Sequence, residues 1–170
     1  MSDVGAPAAQ SVRAEVIVDF ARSALFDRTF EEGMELVDEA AFYLDGAGRH
    51  DVRGLARREA LAFAAHSMRL TTRLMQTASW LLTQRAIGSG DMAPETACGA
   101  SYRLRGEEER TDPGDAMPVT LRQLLERSER LFERVRHLDR RVYVEWDVLT
   151  PFDQPVLAQL ERLRDAFEIS

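Results

Sequence analysis

The sequence predicts an all-α fold, a three-helix bundle with long helices and a short C-terminal amphipathic helix. Three observations carry this. Apolar residues step by four and three through three separate stretches, which places each set on one helix face. Glycine- and proline-rich breaks separate those stretches. The length of 170 residues, with 45% apolar and 30% charged residues, suits one domain with a buried core.

Helix one is predicted from Val16 to Leu44 on the row Phe20, Phe30, Met34, Val37, Ala41 and Leu44. Asp45-Gly46 stops it, because glycine accepts the left-handed conformation that closes a helix. Asp51 is the expected N-cap of helix two, which continues to about Ile87. Its predicted inward row is Leu61, Ala65, Met68, Thr72, Met75, Ser79, Leu82 and Ala86, widened by Leu74, Ala78 and Leu81. At 1.5 Å per residue such a helix is about 55 Å long.

Residues 88–117 hold five of the chain's ten glycines and show no apolar period. They predict a flexible 30-residue loop with a short ordered piece at Tyr102–Arg105. Helix three follows Pro118 on the row Leu121, Leu124, Ser128, Leu131, Val135, Leu138 and Val142 and ends near Trp146. Thr150-Pro151 closes it, since the residue before proline avoids the helical region. The last segment sets Leu157, Leu160, Leu163 and Phe167 on one side of a short helix. The predicted organisation is a bundle domain over 1–150 and an amphipathic tail over 151–170, without internal repeats.

Composition excludes several chemistries. All 22 basic residues are arginine. Without lysine there is no P-loop and no Schiff base. One cysteine and three histidines are too few for a structural zinc site or a disulfide framework. Glu133 and His137 lie one turn apart, but no second Glu/His set completes a di-metal bundle site. Ser89, Ser101 and Cys98 lack the context of an activated nucleophile. No enzyme, metal or cofactor is expected.

The charge of −7 is unevenly divided. Residues 1–48 set three arginines against ten acids, and residues 49–85 set seven arginines against two. Residues 118–141 hold seven arginines interleaved with four acids, too diluted for a phosphate-binding surface. Nucleic acid and membrane are therefore not expected partners, and no apolar run reaches the roughly 18 residues of a bilayer span. The first ten residues lack a secretory pattern, so the expected compartment is the cytoplasm.

A second row on helix two carries His66, Arg69, Arg73, Gln76, Trp80 and Thr83 beside the apolar one. Arg69, Arg73, Gln76 and Trp80 are the candidate protein-binding residues, because arginine and tryptophan combine area with a directed polar group. The alternative is internal: Glu31, Glu35, Asp38 and Asp45 of helix one could face those arginines as salt-bridge partners. In the tail, Leu160, Leu163 and Phe167 either dock on the bundle or on a twin subunit, or present an amphipathic helix to another protein.

Particular blocks also resemble a bacterial family. They are Phe20-Ala-Arg-Ser, Phe30-Glu-Glu-Gly-Met-Glu-Leu-Val, Tyr43-Leu-Asp-Gly-Ala-Gly-Arg49, and above all Ser67-Met-Arg-Leu-Thr-Thr-Arg-Leu-Met-Gln76 with Ala78-Ser-Trp-Leu-Leu and Gln84-Arg85. Leu131-Phe-Glu-Arg-Val-Arg-His-Leu-Asp139 fits the third helix. Together these resemble RcdA, the regulator of CtrA degradation, over about residues 16–87 and 118–147. His66 departs from the acidic residue expected there.

The resemblance implies a dimeric, non-enzymatic adaptor that helps deliver cell-cycle substrates to the ClpXP protease. Implied partners are ClpXP primed by a CpdR-type response regulator, substrate proteins or a cyclic-di-GMP-binding adaptor, and a second copy. It leaves recruitment to a cell pole open. On this resemblance Arg69, Arg73, Gln76 and Trp80 become interface candidates, and residues 151–170 a cargo-contacting arm. The competing expectations are a helical scaffold with no link to proteolysis, and a DNA-associated regulator.

Overall fold

The computed structural model describes residues 6–104 and 113–144. Among them all regular structure is helical: α1 Ala6–Ala21, α2 Ala24–Asp45, α3 Ala47–Arg53, α4 Arg57–Ser89, α5 Pro94–Ala97 and α6 Val119–Asp139, closed by a π-helical turn at Arg140–Val144. The helix predicted over Val16–Leu44 is thus two helices. Ser23 divides them: its hydroxyl donates to the Phe20 carbonyl that ends α1 and accepts from the Phe26 N–H that starts α2. An extended backbone at Ser23 makes this N-cap possible. Phe20 and Phe26 then meet edge to face across the corner, 5.8 Å between ring centres.

The second helix also starts later than predicted. Asp51 lies inside the short α3, where it accepts the Tyr43 hydroxyl at 2.7 Å. The start of α4 is capped instead by Glu59, which accepts from the Ala56 N–H. Gly90, at φ +86°, ends α4 in the left-handed conformation.

α4 is the central element, packed against α1, α2 and α6, while α2 and α6 also touch each other. Buried side chains from all four helices form the core, among them Ile17, Phe26, Leu36, Leu70, Leu81, Leu121, Leu131 and Val135. Each contributes about 1.5–3 kcal/mol by leaving water. Two glycines bring backbones close. A Cβ on Gly33 would lie 2.5 Å from Leu81 Cδ1, and one on Gly88 2.7 Å from the Ala21 carbonyl oxygen.

The helix faces correct the predicted ones. On α2 the buried row is Phe26, Thr29, Gly33, Leu36, Ala40 and Tyr43. Phe30, Met34, Val37 and Leu44 lie at its margin, half-buried, and Ala41 is exposed. On α6 and the π-helical turn after it, the row Leu121, Leu124, Ser128, Leu131, Val135, Leu138 and Val142 is buried throughout. α4 departs most. Its predicted inward residues Leu61, Ala65, Met68, Thr72, Met75, Ser79 and Leu82 face solvent, and Ala86 is half-buried.

The predicted loop is partly ordered packing. α4 extends to Ser89, Pro94 opens the single turn of α5, and Ala97 and Met117 are buried. Met92, Cys98 and Leu104 pack against the core. Residues 105–112 lie outside the described residues, as do Trp146 and the whole tail 151–170.

Candidate protein-binding surface

The row singled out on α4 runs along the side that α6 and the π-helical turn cover. Arg73 is 3% exposed. Its guanidinium donates to Ser128 Oγ at 2.9 Å and to Glu129 Oε1 at 3.3 Å, both on α6. Ser128 in turn donates to the Leu125 carbonyl at 2.7 Å, so Arg73 anchors α4 to the middle of α6. His66 is buried two turns further toward the start of α4. Thr77 and Thr83 satisfy their hydroxyls by donating to the carbonyls of Arg73 and Ser79.

Trp80 is 2% exposed. Its ring lies 6.1 Å from that of Phe20, and its Nε1–H donates to Asp139 Oδ1 at 2.8 Å. Asp139 also receives Arg103, with Nε to Oδ1 at 2.9 Å and Nη2 to Oδ2 at 2.8 Å. The paired geometry is the strong form of an arginine–carboxylate contact. Arg103 stacks over the Tyr143 ring at 4.5 Å. The Tyr143 hydroxyl donates to Gln84 Oε1, and its carbonyl accepts from Arg13. Burial pushes the Tyr143 phenol up to about 12. This junction ties α1, α4, the segment after α5 and the end of α6 together at the point where the chain passes to residue 145.

The surface expectation is therefore corrected for Arg73 and Trp80, which the fold consumes. The salt-bridge alternative named the wrong helix: Arg73 pairs with Glu129 of α6, while Asp45 pairs with Arg49. Arg69 is exposed and Gln76 is half-buried. Leu160, Leu163 and Phe167 lie outside the described residues. Three acids of α2 cross between helices: Asp27 bonds to Arg85 of α4 at 3.0 Å, and Glu32 and Glu39 bond to Arg134 and Arg127 of α6 at 2.6 Å each.

The opposite side of α4 is exposed and apolar. Leu61, Met68, Met75 and Leu82 are each more than half exposed, at 67%, 72%, 68% and 53%. A shallow hollow lined by Ser67, Met68, Thr71 and Thr72 lies on this side. Sequence reasoning missed it by assigning the apolar row inward. The available signal was charge: residues 60–84 hold only Arg69 and Arg73, and Arg73 is buried. The outer faces of α2 and α6 carry charges along their length. A solvated helix face normally does.

Among the described residues no three His, Cys, Asp or Glu side chains stand where they could hold a metal ion. No helix there is long and apolar enough to cross a membrane.

The chain is similar to the crystal structure of RcdA from Caulobacter crescentus CB15. The two are 62% identical with a TM-score of 0.64, and the match covers 75% of this chain and 98% of that one. This chain belongs to the RcdA family. A family profile described as "Protein of unknown function (DUF1465)" matches residues 17–167, which include most of the tail. No curated protein sequence matches the chain. Membership of the RcdA family agrees with the helical fold.

Proposed function

We propose that this chain is a non-enzymatic adaptor that helps deliver cell-cycle regulatory substrates to ClpXP primed by a CpdR-type response regulator. The 62% identity to RcdA over 98% of that chain carries the reading. The buried junctions around Arg73 and Asp139 support it, since they hold the helices as one rigid body. An adaptor of this kind works by raising local concentration. Two weak contacts on one body give firm capture when both are engaged.

In this reading the protein works as a homodimer. One surface meets primed protease, and another meets cargo or a cyclic-di-GMP-binding adaptor. Arg69, exposed on α4, stays an interface residue, and the apolar row of the tail (Leu160, Leu163 and Phe167) meets cargo. No step calls for catalysis or a cofactor in this chain. Its place of work is the cytoplasm.

The test is capture of ClpX by immobilised full-length protein, with and without the response regulator. Capture that depends on the regulator is expected. Equal, background-level recovery of ClpX in both conditions contradicts the reading and favours a scaffold unconnected to proteolysis.

A further inference from the structure

We propose that the end of the bundle where α2 begins and α6 ends is a docking surface for an acidic segment of another protein, whose carboxylate sits between Arg28 and Arg141. The inference goes beyond the adaptor reading and stands without it, since it states the chemistry of a partner and not that partner's role.

The carrying observation is an ion-pair ladder that stops one rung early. α2 and α6 are joined by Glu39 with Arg127 and by Glu32 with Arg134, at 2.6 Å each. The rungs lie seven residues apart on each helix and run in opposite directions, so the helices are antiparallel. The next rung in that register falls at Leu25 and Arg141. Here α2 supplies no acid. Leu25 is 47% exposed, and Arg28, one turn on along the same row, brings a second cation. Both arginines are exposed, and neither has an ion pair among the described residues.

The neighbouring charges sharpen the gap. Of the seven arginines in residues 118–141, Arg122, Arg127, Arg130 and Arg134 have carboxylate partners. Arg136, Arg140 and Arg141 have none among the described residues. Uncompensated positive charge therefore gathers in the last turn of α6 and the π-helical turn. On α2, Asp27 is bonded to Arg85 and Glu32 to Arg134, so both are engaged elsewhere. Glu31 lies off the row, about 100° round the helix from Glu32. Cations at the end of α6 suit its helix dipole. Arg28 does not suit that of α2, because it stands near the positive end. Two cations across a seam without an acid between them repel, and a carboxylate from outside relieves that repulsion.

A protein carboxylate fits better than a phosphate chain. Guanidinium groups pair with carboxylates through parallel N–H donors, and two can share one carboxylate. A nucleic-acid backbone would run against the exposed Glu31, Glu32 and Glu35, which repel it. Leu25 adds an apolar contact, so the fitting segment carries an aliphatic residue beside its acid.

The test uses the full-length protein and a short fluorescein-labelled peptide of Glu, Leu and Gly, read by fluorescence anisotropy at low salt. Saturable binding is expected, at least about tenfold tighter than that of the same peptide with Gln for Glu. Arg28→Gln with Arg141→Gln is expected to weaken it by about tenfold or more. Arg57→Gln with Arg58→Gln removes the same charge at the start of α4 and is expected to leave it unchanged. A second arm supplies the missing acid from within. Leu25→Glu stands in the register of Glu32 and Glu39, so it is expected to abolish peptide binding and raise the urea midpoint. That rise should shrink in an Arg141→Gln background.

Absence of saturable binding overturns the proposal, whether the chain's own residues or a second copy fill the place. So does binding that the Arg28 and Arg141 variant leaves intact, or tighter binding of a single-stranded DNA of equal charge. A midpoint gain in Leu25→Glu that is independent of Arg141 overturns the register. The two readings fail separately: loss of peptide binding leaves regulator-dependent capture of ClpX standing, and failed capture leaves the peptide result standing.

Discussion

Asp139 is the residue on which the junction at the end of α6 should prove most dependent. Its carboxylate is 4% exposed and accepts from Trp80 Nε1, Arg103 Nε and Arg103 Nη2, all within 2.9 Å. Asp139→Ala removes the acceptor and strands a guanidinium and an indole N–H. Breaking a buried ion pair by deleting one partner costs about 3–5 kcal/mol. The Arg103 side chain is 19% exposed and regains some hydration, which lowers the expected cost to about 2–4 kcal/mol. Urea unfolding followed by far-UV circular dichroism reads this as a lower midpoint at constant slope. The decisive version is a double-mutant cycle with Arg103→Met. The double variant should be less destabilised than the sum of the singles, with a coupling of about 2 kcal/mol. The control pair is Arg127–Glu39, whose side chains are 44% and 49% exposed and whose coupling should stay below about 1 kcal/mol. A coupling for Asp139 and Arg103 no larger than that of the control would refute the reasoning.

Three other perturbations test different contacts. Gly88→Ala drives a Cβ to 2.7 Å from the Ala21 carbonyl, a backbone atom that cannot rotate away, and should lower stability by about 1–3 kcal/mol in the same urea assay. Ser23→Ala removes the cap that separates α1 from α2 and should cost about 1 kcal/mol, read as a fall in Tm of a few degrees by calorimetry. The third concerns pH: Tyr143 is raised from 10.0 to about 12, so the folded state holds its proton while the unfolded chain releases it. Its contribution of about 2–3 kcal/mol is complete below pH 10 and is lost as pH rises from about 10 to about 12. With no lysine in the chain, no amine side chain titrates in that window. Urea midpoints from pH 9 to 12 should show the decline, and Tyr143→Phe should make it shallower.

The helical class and the face of α6 were legible because the α6 row is apolar apart from Ser128 and its flanks are charged. The split at Ser23 was hidden because the regular spacing runs only from Phe30 to Leu44, beyond the corner; the informative residue was a serine three positions before Phe26, which the spacing does not weigh. On α4 the apolar rule failed for a physical reason. Its buried side includes His66, Arg73, Thr77, Trp80, Thr83 and Gln84. Arg73, Thr77, Trp80, Thr83 and Gln84 each make a directed hydrogen bond there. Partners such as Ser128 and Asp139 lie 55 and 59 residues away in sequence, beyond the reach of any local pattern. The exposed row keeps the same four-three spacing. Two rows on one helix cannot be ranked by hydrophobicity alone.

The role itself is tested most directly by degradation in a defined mixture. A cell-cycle substrate is followed over time with ClpXP and the CpdR-type regulator, with the cyclic-di-GMP-binding adaptor where the substrate needs it. The full-length protein is then added or withheld. The rate should rise several-fold when it is present, and the increase should vanish if the regulator is omitted. Equal rates with and without the protein, across substrates that the protein itself binds, would contradict the adaptor role.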